Sequence, residues 1–460
     1  MTEFFEQLIA DLWNRMVARR AEKKLRGPGL ELGNLVVDGS VSTKRVVLPD
    51  QLRPQHVTSL GRTGMGKSTE MRRAAFQNIR EQTGFIWFDL HSEEAPELLR
   101  FIALEEERLG VDLSDRVIVI DPSDPEYSVG LNILESGGNS DFVRIGEFTR
   151  VLKERWGLDY LGARTEELLR NTLVVLSDNG FTILEIALLL TNPEFLSSCL
   201  PQVKNPEVRA YFEDRYLRLS DAQQTVFREA ILNKVSAFTA DPHFRHILGQ
   251  QHSTFSLESA FDRAYFVILW TDKGKCGEEA ITLDALFLTL TKNAQFARQS
   301  RKLFSIYLDE VQNFISGNDL ETLYAESRKF GVSVTCATQF LEQCPPAVRA
   351  AILSANTQMF FRLTAPDADK VAAALDGGRN LAELLKNLPQ RNMVVKIGER
   401  PWVQAEVPNV AKLQNDFSDL YRRSRNRWAR KRTEVESEIQ SRHARARAMA
   451  GSSGELHDWE

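Results

Sequence analysis

Continuous apolar runs bounded by turn residues recur along the chain and alternate with segments of helical periodicity. Strands buried on both faces of a parallel sheet have this unbroken apolar character, because helices cover both sides. The alternation with helices therefore predicts an α/β fold with a doubly wound, mostly parallel sheet. The runs are "HVTSL" (56–60), "GFIWFDL" (84–90), "RVIVIDP" (116–122), "AYFVILWT" (264–271), "KLFSIYLDE" (302–310), "GVSVTCATQ" (331–339), "TQMFFRL" (357–363) and "NMVVKI" (392–397).

The region between these runs, from residue 136 to residue 255, has a different pattern. Its segments carry the 3.6-residue periodicity of amphipathic helices, and the sequence contains no convincing strand between them. We predict an all-helical insertion over residues 136–255, which divides the sheet-forming part into residues 29–135 and 256–413. The helical segments are "IGEFTRVLKERW", "TEELLRNTLVVLSD", "ILEIALLL", "PEVRAYFEDRYLRL" and "QQTVFREAILNKVSAFTA".

The N-terminal residues 1–28 are predicted to form an amphipathic helix, because apolar residues fall on one broad face and a basic stretch follows them. Such a helix suits contact of residues 1–26 with a membrane surface or a partner. It equally suits packing on its own domain, and both readings stay open.

The C-terminal residues 414–460 are polar, and residues 422–447 hold ten Arg or Lys against three Glu. This balance predicts a solvated helix or a mobile tail. Trp428 lies among the arginines of "YRRSRNRWARKR" (421–432). Contact with nucleic acid, a solvated helix and contact with another subunit are three alternatives for this stretch.

The composition is typical of a folded, soluble protein. The 460 residues are 43% hydrophobic and 26% charged. The net charge of −5 excludes nucleic-acid binding through overall basic charge, so that any such contact needs a local patch. The four cysteines contain no C-x-x-C pair, and no apolar run approaches the roughly 18 residues of a membrane span. We expect a cytoplasmic protein, with peripheral contact at the inner face of the membrane as an alternative.

A phosphate-binding loop is predicted at "SLGRTGMGKSTEM" (59–71), which fits the pattern G-x-x-x-x-G-K-[ST]. The glycines let the backbone curl so that successive N–H groups converge on phosphate oxygens, with a helix N-terminus behind them. In this pattern Lys67 contacts the β- and γ-phosphates of ATP, and Ser68 holds Mg²⁺. The predicted nucleotide-binding residues are Gly61, Arg62, Thr63, Gly64, Met65, Gly66, Lys67, Ser68 and Thr69.

An acidic pair is predicted at the carboxyl end of a neighbouring strand, where "LFSIYLDE" ends in Asp309 and Glu310. Asp309 is suited to hold Mg²⁺ through its water shell, and Glu310 to orient and deprotonate an attacking water. An ordinary strand-end pair is the alternative. Together with the phosphate-binding loop, the pair favours hydrolysis over phosphate transfer by a small-molecule kinase, which must exclude water.

Two further residues are candidates with open alternatives. Gln339 follows the run "GVSVTCAT" and is suited to sense the γ-phosphate or hold the water, or else is a turn residue at a strand end. Arg328, in "ESRKFG", precedes the same run. It is either an arginine finger that reaches the nucleotide of a neighbouring subunit, or a cation that stabilises a helix C-terminus.

Taken together, these segments resemble the ring ATPases of the HerA/FtsK group, and within it the type IV secretion coupling ATPases of the TraD/TraG class. The similar segments are "HVTSLGRTGMGKST", "DPSDPEYSVGLNIL" (121–134), "YLDEVQNF" (307–314) and "AESRKFGVSVTCATQFLEQ" (325–343). The resemblance covers residues 30 to 430 approximately. It implies a RecA-like P-loop NTPase domain, ATP and Mg²⁺ as ligands, a homohexamer that threads DNA through a pore, and an all-helical domain that recognises cargo.

The sequence departs from this group at two places. Coupling proteins usually carry N-terminal transmembrane helices, whereas this chain begins with the amphipathic stretch 2–18. The strand after the phosphate-binding loop ends in "DLHSEE" (89–94), where relatives often have an Asp-Pro-Lys-Gly-like turn. We interpret His91 in this turn as a structural loop residue.

The first function hypothesis is therefore an ATP-hydrolysing, ring-forming DNA translocase like the coupling ATPase of conjugation and type IV secretion. The second is a cytosolic HerA-like motor for DNA processing or defence. The third is a nucleotide-gated platform that recruits proteins without processive translocation. The choice between single- and double-stranded DNA stays open, as does the choice of partner between a relaxase, a secretion channel and a nuclease.

Overall fold

A mixed sheet of eleven strands forms the centre of the protein in a computed structural model, which describes residues 28–135, 141–155, 162–315 and 320–451. The predicted amphipathic helix at residues 2–18 and its membrane contact lie outside the described residues. The strands are β1 Gly29–Val37, β2 Ser40–Pro49, β3 Val57–Leu60, β4 Phe85–Asp89, β5 Val117–Ile120, β6 Tyr127–Val129, β7 Phe266–Trp270, β8 Phe304–Leu308, β9 Val332–Thr338, β10 Thr357–Phe360, β11 Asn392–Ile397, β12 Val403–Glu406 and β13 Ala429–Lys431.

The strand order of the large sheet is β2-β1-β12-β11-β10-β3-β9-β8-β4-β7-β5. All pairs from β10 through β5 are parallel, and β11, β12, β1 and β2 extend the sheet with antiparallel pairs. Every apolar run named above contains one of these strands. The predicted doubly wound, mostly parallel sheet is confirmed, although β11 runs antiparallel to β10 and β12 was not predicted.

Helices cover both faces of the sheet. Those after the loop and around the insertion are α1 Lys67–Arg80, α2 Ala95–Leu109, α3 Asp141–Arg155, α4 Gly162–Asp178, α5 Ile186–Thr191, α6 Pro193–Cys199, α7 Pro206–Ala210, α8 Asp221–Ala240, α9 Pro242–Leu248 and α10 Leu257–Asp262. The remaining helices are α11 Lys273–Cys276, α12 Glu278–Ala297, α13 Leu320–Ser327, α14 Pro346–Leu353, α15 Ala365–Ala374, α16 Gly378–Asn387, α17 Ser418–Trp428 and α18 Arg432–Gly451.

Alternate residues of the central strands enter two different hydrophobic cores. In β4, Phe85 and Trp87 pack with α1 and α2 on one face, whereas Ile86 and Phe88 join a cluster on the other face. Successive side chains of a strand point to opposite faces, so a strand with helices on both sides must be apolar at every position. This double coverage explains the unbroken apolar runs.

The helical insertion comprises α3 to α10, between β6 and β7, and it shares one hydrophobic cluster with the sheet face that it covers. The predicted all-helical insertion is thus confirmed as part of the fold class, while its exact boundaries at residues 136 and 255 stay predictions. Among the described residues, no single helix is long and apolar enough to cross a membrane. One helix pair, Ile183–Thr191 and Pro193–Gln202, passes that test together but is bent by 118°.

The C-terminal segment packs along its own chain. β13 pairs with β6 in a two-stranded sheet, and α18 lies against the insertion, where Val435 and Ile439 cluster with Leu184. Arg442 of α18 forms an ion pair of 3.2 Å with the buried Glu185. The segment from α17 to α18 therefore joins the sheet to the insertion.

Several basic residues of this segment form ion pairs within the chain. Arg423 pairs with Glu106, and Arg425 pairs with Asp124 at 3.2 Å. The ring of Trp428 lies 5.5 Å from that of Tyr265, between centroids. Acidic groups elsewhere in the chain therefore neutralise part of the positive charge of this segment.

His56 precedes β3, at the end opposite the phosphate-binding loop, and connects this strand to β9 and α13. Its Nδ1 accepts a hydrogen bond of 3.1 Å from the Val334 N–H, and its Nε2 lies 2.6 Å from the Tyr324 carbonyl oxygen. An N–H group can only donate and a carbonyl can only accept, so the imidazole is neutral with its proton on Nε2. The residue is 5% exposed, and burial lowers the pKa of His56 to about 4.

We predict that His56 makes folding stability depend on acidity. The pKa of an unfolded histidine is about 6.5, so the stabilisation is complete above that pH and is lost as the pH falls toward about 4. The shift corresponds to a loss of about 3 kcal/mol in the free energy of unfolding. The free energy of unfolding can be measured with urea at about pH 7.5 and pH 4. Its decrease between the two pH values should be larger by this amount in the wild type than in His56→Asn, which cannot titrate. An equal loss in both proteins contradicts the prediction.

Candidate active site

A cleft of about 850 Å³ opens at the carboxyl edge of the parallel strands. Four neighbouring strands, β3, β9, β8 and β4, end at this edge and carry its side chains. The structure brings most of the predicted site residues together here. Those that line the cleft are Thr63, Gly64, Gly66, Lys67, Ser68, Thr69, Asp309, Glu310 and Gln339.

The loop between β3 and α1 has the conformation that its glycines allow. Gly64 has a φ of +75° and Gly66 a φ of +115°, a region that other residues adopt only with strain. A Cβ on Gly66 would lie 3.2 Å from the ring of Phe361, whereas a Cβ on Gly64 would meet no atom within 4 Å. The loop is thus closed toward the protein at Gly66 and open at Gly64, and α1 begins directly after Gly66 with its N-terminal N–H groups.

Lys67 and Ser68 begin α1 and point to different partners. The buried Lys67 Nζ donates to the carbonyl oxygens of Gly61 at 2.6 Å and Arg62 at 3.3 Å. Burial lowers the pKa of Lys67, and the nearby Asp309 and Glu310 oppose that shift. The Ser68 hydroxyl donates a hydrogen bond of 2.7 Å to Asp309 Oδ2. The two oxygen groups predicted to share Mg²⁺ are therefore adjacent.

Three side chains donate to the Glu310 carboxylate. His91 Nε2 lies 3.0 Å and Asn313 Nδ2 lies 3.2 Å from Glu310 Oε2, and Gln339 Nε2 lies 3.2 Å from Oε1. The hydrogen bond from His91 is the largest cause that holds the pKa of Glu310 below its usual value. Glu310 is therefore ionised at neutral pH. Its φ of +51° is unusual for a residue with a side chain.

His91 lies in the cleft, which its interpretation as a structural loop residue did not anticipate. The residue follows β4, its backbone N–H donates to Asp89 Oδ1 at 3.2 Å, and its half-exposed side chain reaches Glu310. A histidine in a turn after an apolar strand was the only signal in the sequence. That signal becomes informative only once β4 is known to lie beside β8.

Two buried carboxyl groups form the wall beside His91. Asp89 Oδ2 accepts hydrogen bonds from the backbone N–H groups of Glu94 and Ala95, at 3.0 and 2.7 Å, and so caps the start of α2. Burial raises the pKa of Glu94 to about 8, although Arg72 lies 3.5 Å away and opposes the shift. Glu94 therefore takes up a proton more readily than an exposed carboxyl group does.

The loop before β11 and the segment after β12 cover the phosphate-binding loop from outside the parallel sheet. The Gln390 side chain donates to the Gly64 carbonyl oxygen at 2.9 Å, and the Arg391 N–H donates to the Met65 carbonyl oxygen at 2.9 Å. Asn409 also lines the cleft. No sequence pattern marked these three residues, because they come close to the loop only through the antiparallel part of the sheet.

Arg328 lies away from the cleft, at the amino end of β9, whereas Gln339 follows its carboxyl end. β9 has seven residues, which at about 3.3 Å per residue separate the two ends by roughly 20 Å. The Arg328 side chain is exposed and forms no ion pair within the described part of the chain. Arg328 therefore cannot reach the cleft of its own chain.

Comparison with solved structures shows a shared fold for most of the chain. No protein-family model and no curated protein matches the sequence. The unbound coupling protein TrwBΔN70 of bacterial conjugation matches with a TM-score of 0.57 at 15% identity, over 85% of this chain and 93% of that chain. The plasmid coupling protein TrwB with ADP and Mg²⁺ matches with a TM-score of 0.56 at 16% identity, over 85% and 92%.

VirB4 of Thermoanaerobacter pseudethanolicus matches with a TM-score of 0.55 at 16% identity, over 84% of this chain and 99% of that chain. The chain thus shares its fold with the conjugative coupling protein TrwB and with VirB4. The resemblance stated from the sequence is confirmed at the level of the fold.

We predict that the contact with Glu310 can be measured on His91. A carboxylate stabilises the imidazolium, so the hydrogen bond with Glu310 raises the pKa of His91 above its usual value. NMR titration of the histidine rings should give a raised pKa for His91, and Glu310→Gln should lower it. Gln339→Ala is the control, because Gln339 contacts the other oxygen of Glu310 and its substitution leaves the negative charge of Glu310 in place. An unchanged pKa in Glu310→Gln contradicts the contact.

Proposed function

We propose that this chain is an ATP hydrolase that assembles into a ring and translocates DNA, like a coupling ATPase of conjugation or type IV secretion. The observation that carries the proposal is the set of contacts around the acidic pair. Ser68 reaches Asp309 at 2.7 Å, and Gln339 reaches Glu310 at 3.2 Å. Groups for phosphate binding, metal binding and water activation thus converge at one edge of the sheet.

The site fits ATP and Mg²⁺ by its shape and its chemistry. Space is open at Gly64, and Lys67 is held by carbonyl oxygens that an incoming phosphate would replace. The hydroxyl of Ser68 and the carboxylate of Asp309 are ligands of the kind that Mg²⁺ prefers. When bound, Mg²⁺ neutralises charge on the phosphate oxygens. Coupling-protein structures with ADP and Mg²⁺ and with an ATP analogue support the choice of nucleotide.

Glu310 and Gln339 act on the water in this proposal. Glu310 is ionised at neutral pH and accepts a proton from the water as the water attacks the terminal phosphate. Gln339 holds the Glu310 carboxylate through one oxygen and is in reach of the same water. Lys67 binds the phosphates, and the uncovered N–H groups at the start of α1 stabilise their negative charge.

A ring is proposed because one cation of the expected mechanism lies at the opposite edge of the sheet. Arg328 is exposed at the amino end of β9, roughly 20 Å from the cleft of its own chain. In a head-to-tail ring, that edge faces the cleft of the next subunit. Arg328 then stabilises charge on the nucleotide of its neighbour. The homohexamer and the DNA cargo are proposed by likeness to the coupling-protein fold.

We predict that the full chain hydrolyses ATP in the presence of Mg²⁺ and that DNA stimulates the rate. Glu310→Gln should lower the rate by about a hundredfold or more, because a general base is lost, and should still bind ATP. Lys67→Ala should weaken ATP binding. The measurement is the ATPase rate with single-stranded DNA, duplex DNA and no DNA, with the oligomeric state determined in parallel.

The outcomes of this experiment separate the hypotheses. A strictly monomeric chain in the presence of ATP and DNA contradicts the ring. ATP hydrolysis in a ring that no DNA stimulates contradicts the translocase and favours a nucleotide-gated recruitment platform. Full activity in Lys67→Ala contradicts the assignment of the site.

We predict that Arg328 acts across a subunit boundary. Arg328→Ala alone should lower the rate by roughly a thousandfold with ATP binding preserved, the range of known arginine fingers. Mixing Arg328→Ala subunits with Glu310→Gln subunits should restore part of the rate, because some boundaries then combine an intact Arg328 with an intact Glu310. A mixture no more active than the separate variants, at every ratio, rules out action in trans.

A further inference from the structure

A chain of hydrogen bonds connects the helical insertion to Glu310. Arg155, the last residue of α3, donates through its Nη2 to the carbonyl oxygen of Asn313. The side-chain amide of Asn313 donates to Glu310 Oε2 at 3.2 Å. Asn313 lies in the short 3-10 turn Val311–Phe314 that directly follows Glu310. Asn313 thus contacts the insertion through its backbone carbonyl and the acidic pair through its side chain.

Arg155 is held firmly enough to transmit a displacement of α3. Lys292 of α12 forms an ion pair of 2.7 Å with Glu147, which fixes α3 against that helix. The guanidinium of Arg155 is partly buried near Glu278 and Asp284, and burial lowers its pKa. A partly buried arginine whose guanidinium is hydrogen-bonded has lost much of its rotamer freedom, so it follows the backbone of its helix.

The Asn313 amide occupies one lone pair of Glu310 Oε2 that a water molecule could otherwise use. A carboxylate oxygen has two lone pairs, and Glu310 Oε2 already accepts from His91 and from Asn313. Glu310 Oε1 accepts from Gln339. Three of the four lone pairs of the Glu310 carboxylate are therefore occupied, and the Asn313 amide competes with water for Oε2.

We propose that Arg155 is a positioning residue through which the helical insertion restrains ATP hydrolysis, by holding Asn313 on Glu310. The inference rests on the proposed ATPase function of this site. A shift of α3, such as one caused by cargo at the insertion, withdraws Arg155 and releases the turn Val311–Phe314. The Asn313 amide then leaves Glu310 Oε2, which becomes free to accept a proton from water.

The test is a steady-state comparison of full-length variants. Arg155→Ala should raise the kcat for ATP without DNA by about fivefold, the factor expected for the loss of one hydrogen bond, with KM unchanged. The ratio of the ATPase rates with and without DNA should fall by the same factor in Arg155→Ala, because this variant already lacks the restraint on Glu310. Arg155→Lys, which keeps a cationic donor, should stay close to the wild type.

Two further variants separate this role from a general structural effect. Asn313→Ala should raise the DNA-free rate to the same extent, and Arg155→Ala should add nothing in that background, because both act through one amide. Lys153→Ala is the matched control, since Lys153 lies on the same helix as Arg155 and its substitution breaks an ion pair of 2.7 Å with Glu166 of α4. It should leave the DNA-free rate unchanged.

Hydrogen exchange of the segment 311–315 gives a readout that does not require activity. Arg155→Ala should speed exchange there, and Lys153→Ala should not. A wild-type chain without ATPase activity overturns the proposed function, and in that case unchanged exchange in Arg155→Ala overturns the present inference separately. In an active wild type, the inference fails if Arg155→Ala and Asn313→Ala leave both the DNA-free rate and the stimulation unchanged, or if their effects add.

Discussion

Parallel strands impose the constraint on which the rest of this structure depends. Because β3, β9, β8 and β4 run in the same direction, all four carboxyl ends meet at one edge of the sheet. Lys67 and Ser68 follow β3, Gln339 follows β9, the acidic pair follows β8, and His91 follows β4. The amino ends meet at the other edge, where His56 supports β3 and Arg328 precedes β9. One sheet thereby separates a cleft from a cationic edge.

Features that depend on neighbours in the sequence could be predicted well. A strand that is buried on both faces of the sheet must be apolar at every position, so runs such as "GFIWFDL" can be recognised in the sequence. The phosphate-binding loop can be recognised because its glycines, lysine and serine have a fixed spacing. Features that depend on the order of the strands in the sheet could not be predicted from the sequence. His91 and Glu310 are 219 residues apart in sequence, and only the adjacency of β4 and β8 brings them to 3.0 Å. Gln390 and Arg391 were missed for the same reason.

The arginine-rich C-terminal segment illustrates a second limit. A helix such as α17 has the same charge pattern whether its arginines face water or face carboxylates of the same chain. Arg423 pairs with Glu106, which no local pattern connects to it. Packing of this kind is decided by the three-dimensional position of the acidic groups. The prediction of a solvated helix or mobile tail for residues 414–460 stays a prediction, and pairings such as this one cannot be read from the local sequence.

The packing of α18 on the insertion also has a consequence for the order in which the chain folds. Arg442 and Glu185, which form a buried ion pair there, are 257 residues apart in sequence. During synthesis the insertion leaves the ribosome long before α18, and its surface around Leu184 stays uncovered until the last helix is made. Contacts of such long sequence separation form slowly. The nascent insertion therefore exposes this small apolar surface until α18 has been synthesised.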